Sequence, residues 1–165
     1  MKKILFVCTG NTCRSSMAEG IFNNAIAKGG EELKDFTAIS AGVSAFDGDC
    51  ANPKAVKTLK ENFGIDISSH SARRLADKDV EEAFLILTMT RQHKEAVLYM
   101  FPQAKNKTYT LKEFIMDDSS GFGSTEYNFA LDIPDPYGMS EEVYRRCAQE
   151  LKNVVDKLVF KLKKL

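Results

Sequence analysis

Lys3-Ile4-Leu5-Phe6-Val7-Cys8-Thr9-Gly10-Asn11-Thr12-Cys13-Arg14-Ser15 decides how the rest of the chain is read. Lys3–Val7 is a short apolar run closed by Thr9-Gly10-Asn11, the pattern of a strand buried on both faces. From Ser15 the period changes. Met17, Ala18, Ile21, Phe22, Ala25 and Ile26 recur at spacings of three and four, predicting a helix that Gly29-Gly30 ends. A buried strand that empties through a short Gly-Asn loop into a helix is the opening unit of an α/β fold.

The same alternation continues outward. Phe36–Ala41, closed by Gly42, predicts a second strand, and Asn52-Pro53 opens a helix carrying Ala55, Val56, Leu59 and Phe63 that stops at Gly64. Ala83–Thr88 is a third buried strand, Arg91 to Met100 a helix stopped by Pro102, and Lys107–Thr110 a fourth strand. Ser140 is an N-cap for a last, long helix. Glu141 and Glu142 suit its N-terminus, and its apolar stripe runs Val143, Cys147, Leu151, Val154, Leu158, Leu162, Leu165. The expected architecture is α/β: one domain over residues 1–165, in three layers, with a four-stranded parallel sheet between helices on both faces. Ile115 to Met139 resists assignment, and stretches that long without regular structure are usually functional.

Composition narrows the function. The chain has 165 residues, 44% hydrophobic and 28% charged, with ten Gly and four Pro, which excludes disordered and low-complexity classes. Twenty-three Lys+Arg balance twenty-three Asp+Glu, so no general attraction to nucleic acid or membrane is signalled. The apolar run after Met1-Lys2-Lys3 is too short for a signal peptide, and a cytoplasmic protein with reduced cysteines is expected. The cysteines, at 8, 13, 50 and 147, show no zinc spacing, and His70 and His93 lie near no other ligand in sequence, so no metal is expected.

In parallel sheets ligands gather at the carboxyl ends of strands, which directs attention to Cys8–Ser15. A loop entering a helix N-terminus presents unpaired backbone N–H groups and the positive end of the helix dipole. Gly10 permits close approach or a positive φ, Asn11 tolerates the left-handed region, and Arg14 offers a planar fork for two phosphate oxygens. Together these make an oxyanion cradle. Cys8 lies at its mouth, where the same groups stabilise a thiolate aimed at a bound tetrahedral anion.

Val7-Cys8-Thr9-Gly10-Asn11-Thr12-Cys13-Arg14-Ser15, followed by Met17-Ala18-Glu19, resembles the phosphate loop of the low-molecular-weight protein-tyrosine phosphatase family. The likeness continues through Ser40-Ala41-Gly42, Ser69-His70-Ser71-Ala72-Arg73, Leu87-Thr88-Met89-Thr90 and Asp135-Pro136-Tyr137-Gly138, in order along nearly the whole chain. One departure is Ser16, where the family usually has Pro. The resemblance implies a cofactor-free phosphatase acting on phosphorylated protein and releasing inorganic phosphate. Cys8 would be the nucleophile, Arg14 the phosphoryl ligand and Asp135 the general acid. Thr9, Gly10, Asn11, Thr12, Cys13, Ser15 and Tyr137 would line the substrate site, and Asn11, Ser15, Ser40 and His70 would hold the loop in shape. Thr12, the single aromatic of Asp135-Pro136-Tyr137-Gly138, and Thr90 resemble the family's protein-arginine phosphatase branch, so phosphoarginine is the expected substrate and phosphotyrosine the alternative.

The residues themselves leave several acids open: Asp117, Asp118, Glu126, Asp132 and Asp135. Pro136 and Tyr137 favour Asp135, since they stiffen the chain and wall a pocket; Asp132 is a weaker second carboxylate. Glu113 through Tyr144 carries acids and no Lys or Arg, which suits a cationic leaving group. Cys13 shares a tight loop with Cys8, an arrangement open to a reversible disulfide. Cys50 reads as a loop residue and Cys147 as packing. Arsenate reduction would need a resolving cysteine pair after the third strand, and residues 80–100 contain none. A phosphate-sensing module would gain nothing from Cys8, Ser15 and Asp135 together.

Overall fold

Ile4, Leu5, Phe6 and Val7 have no exposed surface, as the unbroken apolar run requires of a central strand. A computed structural model describes residues 1–116 and 131–165 of the chain. β1 (Lys2–Cys8) pairs in parallel with β2 (Phe36–Gly42) on one side and β3 (Ala83–Thr88) on the other. β4 (Thr108–Thr110) extends the sheet beyond β3, giving the order β2-β1-β3-β4, parallel throughout. Between β1 and β3 the chain reverses its direction of winding, and the crevice at such a switch point lies at the carboxyl ends of the strands. Cys8 is the last residue of β1 and sits there.

The side-chain period of two divides β1 between two apolar layers. Ile4 and Phe6 face a cluster with Met17, Ile21 and Phe22 of α1 (Arg14–Lys28), Leu59 of α2 (Pro53–Phe63) and Leu151 and Val155 of α6 (Glu141–Leu162). Leu5 and Val7 face the opposite cluster, with Val80 of α3 (Asp77–Glu82) and Val97 of α4 (Arg91–Met100). The short α5 (Leu111–Ile115) packs with the first layer through Leu111. The four-stranded parallel sheet between two helical layers is the expected fold.

Helix boundaries follow local chemistry. Asn52 caps α2 by accepting from the Lys54 N–H at 2.9 Å, and Gly64 ends it at φ 66°, a left-handed position that favours glycine. Ser140 caps α6 through the Val143 N–H. The α6 stripe departs from expectation at both ends. Leu165 is exposed because the helix stops at Leu162, and Tyr144 rather than Val143 is fully buried. The short α3 and α5, and the 3-10 turns Glu31–Leu33 and Pro102–Lys107, have no counterpart in the sequence reading, because one or two turns contain too little periodicity to register.

Candidate active site

Cys8 through Arg14 wrap around a cleft of about 330 Å³ at the end of β1. The loop is held in shape by Asn11, the only non-glycine residue with positive φ (58°) among the described residues. Of the two loop positions expected to tolerate a positive φ, Gly10 and Asn11, it is Asn11 that adopts it, and a Cβ at Gly10 would meet only Thr12 Oγ1 within the protein, at an ordinary 3.8 Å. The glycine that contact demands is Gly42, where a Cβ would lie 2.4 Å from the Thr9 carbonyl oxygen and 3.0 Å from the Asn11 nitrogen. The end of β2 thus presses against the loop, and the Val43 and Ser44 N–H groups donate to the carbonyls of Cys8 and Thr9 at 3.0 Å each.

The hydrogen bonds of Asn11 have a definite direction. Its Oδ1 accepts from the Arg73 N–H at 2.9 Å, which orients the amide, and its Nδ2 donates to Ser15 Oγ at 2.8 Å and Ser40 Oγ at 2.9 Å. The Ser40 hydroxyl in turn donates to Glu19 Oε2 at 2.6 Å. Ser15 Oγ already accepts from Asn11, so its proton is free for Cys8 Sγ, 2.8 Å away, and the Asn11 N–H also donates to that sulfur at 3.3 Å. As a thiolate, which can only accept, the cysteine sulfur therefore receives two donors. The sequence reading places Asn11, Ser15, Ser40 and His70 in one network, and the structure brings all four together; it adds Glu19 and Arg73, which that reading did not single out.

His70 closes the network. Its Nε2–H donates to the Asn11 carbonyl at 2.7 Å and its Nδ1 lies 3.5 Å from Glu19 Oε2, so both ring nitrogens face acceptors. Burial alone would lower its pKa, but Glu19 and the Asn11 carbonyl outweigh it and raise the value above 6.5. A histidine raised in this way stabilises the fold fully below its unfolded pKa, and the contribution fades as pH climbs through the folded value. Relative to His70→Gln, the wild-type melting temperature is therefore expected to hold its greatest advantage near pH 6 and to lose part of it by pH 9. An advantage that grows with pH would contradict the assignment.

Arg14, the first residue of α1, is 4% exposed. Its Nη1 donates to the Ile133 carbonyl at 3.0 Å, and its Nη2 lies 3.5 Å from Asp135 Oδ2. Ile133 is itself tied to the sheet, because its N–H donates to the Met89 carbonyl just after β3 at 2.8 Å. The anchored segment delivers Asp135 to the cleft, where it is half-exposed, and its Oδ1 accepts from the Tyr137 N–H at 3.1 Å across Pro136. Ser16, in place of proline, donates its hydroxyl to the Cys13 carbonyl at 2.9 Å and leaves the helix start intact.

Asp132, the other candidate acid among the described residues, is separate from the cleft and accepts from the Arg91 N–H at the start of α4. Glu113 pairs with Lys94, Glu141 with Lys57 and Glu142 with Arg145, so these members of the acidic stretch are neutralised by neighbours and do not form an acidic lid. Asp117, Asp118 and Glu126 lie outside the described residues. The cleft is lined not only by Asp135 and Tyr137 but also by Ser44, Phe46 and Asp49 of the loop after β2. Two of the lining side chains, Phe46 (76% exposed) and Tyr137 (69%), are largely open to solvent. Nothing periodic marks Phe46 or Asp49 in the sequence, and they were not anticipated. Cys13 points away from the network, with Sγ 3.3 Å from the Tyr144 hydroxyl, and burial raises its pKa. Both Cys8 and Cys13 are free thiols, as are Cys50 and Cys147. Among the described residues no His, Cys, Asp and Glu side chains cluster as metal ligands, and no helix is long and apolar enough to cross a membrane.

A thiol supplied with two donors, a buried arginine and a carboxylate, all on a loop between a buried strand and a helix N-terminus, define a cysteine-dependent phosphatase. Residues 3–165 match the model of the low molecular weight phosphotyrosine protein phosphatases, and the chain belongs to that family of protein phosphatases. It is 39% identical to a protein-arginine-phosphatase of Geobacillus stearothermophilus, over 97% of this chain and 95% of that one. It superposes on a low molecular weight protein tyrosine phosphatase from T. tengcongensis with a TM-score of 0.83 and 43% identity, covering 98% and 99% of the two chains. A Cys-to-Ser mutant of an arginine phosphatase, with its active-site serine phosphorylated, matches at a TM-score of 0.84 and 35% identity, covering 98% and 96%.

Proposed function

We propose that residues 1–165 form one catalytic domain that removes phosphoryl groups from arginine side chains of proteins through a phosphocysteine intermediate. The observation that carries the arginine reading is Thr12, a hydroxyl-bearing residue lining the cleft beside the loop cysteine. The likeness to a protein-arginine-phosphatase over nearly the whole chain supports it.

In this reading the backbone N–H groups from Thr9 to Ser15, the α1 dipole and the Arg14 guanidinium hold the phosphoryl oxygens. The Cys8 thiolate attacks phosphorus. As the S–P bond forms, the P–N bond to the guanidine breaks, and Asp135 delivers its proton to the departing nitrogen. Asp135, now a carboxylate, takes a proton from the water that attacks the phosphocysteine. The S–P bond breaks, inorganic phosphate leaves, and the Ser15 hydroxyl steadies the returning thiolate. Arg14 lies beside Asp135, so a phosphoryl dianion held by the guanidinium would compete with the carboxylate and free the acid for the leaving group.

A second reading, phosphotyrosine hydrolysis by the same steps with a P–O bond broken, is favoured by the exposed rings of Phe46 and Tyr137, which would flank an aryl group, and by the likeness to a tyrosine phosphatase. Catalytic efficiencies on phosphoarginine and phosphotyrosine peptides, measured side by side, separate the two. The expected result is a preference for phosphoarginine. Thr12→Ile is expected to move the ratio toward phosphotyrosine by about tenfold, equivalent to about 1.4 kcal/mol of differential transition-state binding, because a polar group at the site penalises a ligand that leaves it unpaired. An unchanged ratio would remove Thr12 from the specificity argument.

A further inference from the structure

His93 occupies the first turn of α4, is 6% exposed, and has no part in the steps above. Each of its ring nitrogens meets a threonine hydroxyl on a different element. Nδ1 lies 3.0 Å from Thr90 Oγ1, the cap of α4, and Nε2 lies 2.8 Å from Thr9 Oγ1, which lines the cleft next to Cys8.

Counting protons orders this chain. Thr90 Oγ1 accepts from the His93 backbone N–H at 3.2 Å, so its own proton is available for Nδ1. With that proton directed to Nδ1, Nε2 carries the ring proton and donates it to Thr9 Oγ1, which leaves the Thr9 hydroxyl proton unspent. The opposite tautomer would draw that proton to Nε2 and turn only oxygen lone pairs toward an anion in the cleft. Burial above all, then the nearby Arg14 charge, depresses the ring's pKa to about 4 against the opposing pull of Asp135, so the imidazole is neutral at neutral pH and one tautomer must be chosen.

We propose that His93 is a positioning residue for phosphoryl transfer: together with Thr90 it holds the Thr9 hydroxyl as a hydrogen-bond donor to the phosphoryl group in the cleft. The inference rests on Cys8–Arg14 being the phosphoryl site and is independent of which side chain carries the phosphate. Thr9 is the substrate contact, and His93 acts through it.

The experiment measures kcat/KM on p-nitrophenyl phosphate for Thr9→Val, His93→Ala and the double variant, with Cys8→Ser as the background. Each single change is expected to lower kcat/KM about five- to tenfold, the effect of one lost hydrogen bond. The double variant is expected to be no worse than the poorer single, since both changes remove the same interaction. Losses that multiply would show two independent structural effects and overturn the proposal. Nitrogen-15 NMR of the wild-type imidazoles at neutral pH needs no variant to fold. Protonation of His93 at Nε2 is the expected result, and protonation at Nδ1 or at both nitrogens overturns it. If turnover does not depend on Cys8, the underlying reading fails. If it does, and both single variants keep full kcat/KM, this inference alone fails.

Discussion

Cys8→Ser is expected to reduce steady-state turnover on any phosphomonoester to background while the protein still folds. The hydroxyl is a far poorer nucleophile at neutral pH, and the two donors that converge on position 8 stabilise a thiolate far more than they activate an alcohol. In the similar arginine phosphatase, the active-site serine of the Cys-to-Ser mutant is phosphorylated. The variant should therefore accumulate at most one phosphoryl group per chain, read by intact-mass spectrometry, with no continued release of phosphate. Sustained release would end the covalent mechanism. Cys50→Ser and Cys147→Ala serve as controls and should keep the rate. Cys50 is an exposed loop residue, and burial, reinforced by Glu150, pushes the Cys147 thiol up to about 12, out of range for a nucleophile.

Asp135→Asn is expected to slow hydrolysis by roughly 10²–10⁴-fold on substrates whose leaving group must be protonated. The amide keeps the size of the side chain and an oxygen for the Tyr137 N–H, so the turn over Pro136 survives and only the proton is lost. On nitrophenyl phosphate, whose leaving group is stable as an anion, the loss should be much smaller. The ratio of the two effects is the measurement. Equal losses on both substrates would mean that Asp135 positions its segment without acting as the acid. Asp132 would not then inherit the role, because its carboxylate is engaged by the Arg91 N–H away from the cleft.

Much of this protein is legible along single segments. The apolar run of β1 called for burial on both faces, and the structure divides it between two clusters by the alternation of its side chains. The N-caps Asn52 and Ser140 and the left-handed Gly64 set helix boundaries to within a residue, because a cap is a contact between neighbours in the chain. The segment from Cys8 to Arg14 is likewise one continuous loop, so its residue types could be read as suited to an anion without knowledge of the fold. Gly10 shows the limit of such reading. Residue type left the positive φ open between Gly10 and Asn11, whereas packing placed it at Asn11 and put a steric demand at Gly42.

What the amino-acid order determined by itself is the α/β alternation, the position of the loop and the identity of the groups within it. These depend on periodicity and on contacts a few residues apart. The family resemblance pointed to Ser40 and His70 as supports of the loop and to Asp135 as the acid. Only the tertiary structure decided how they meet it, and it alone brought Arg73 to Asn11, His93 to Thr9 and Phe46 into the cleft lining with Tyr137. Each of those contacts depends on strand register and loop path. The hydrophobic pattern says that a face is buried but not what it is buried against, and isolated polar residues have no period from which their partners can be read.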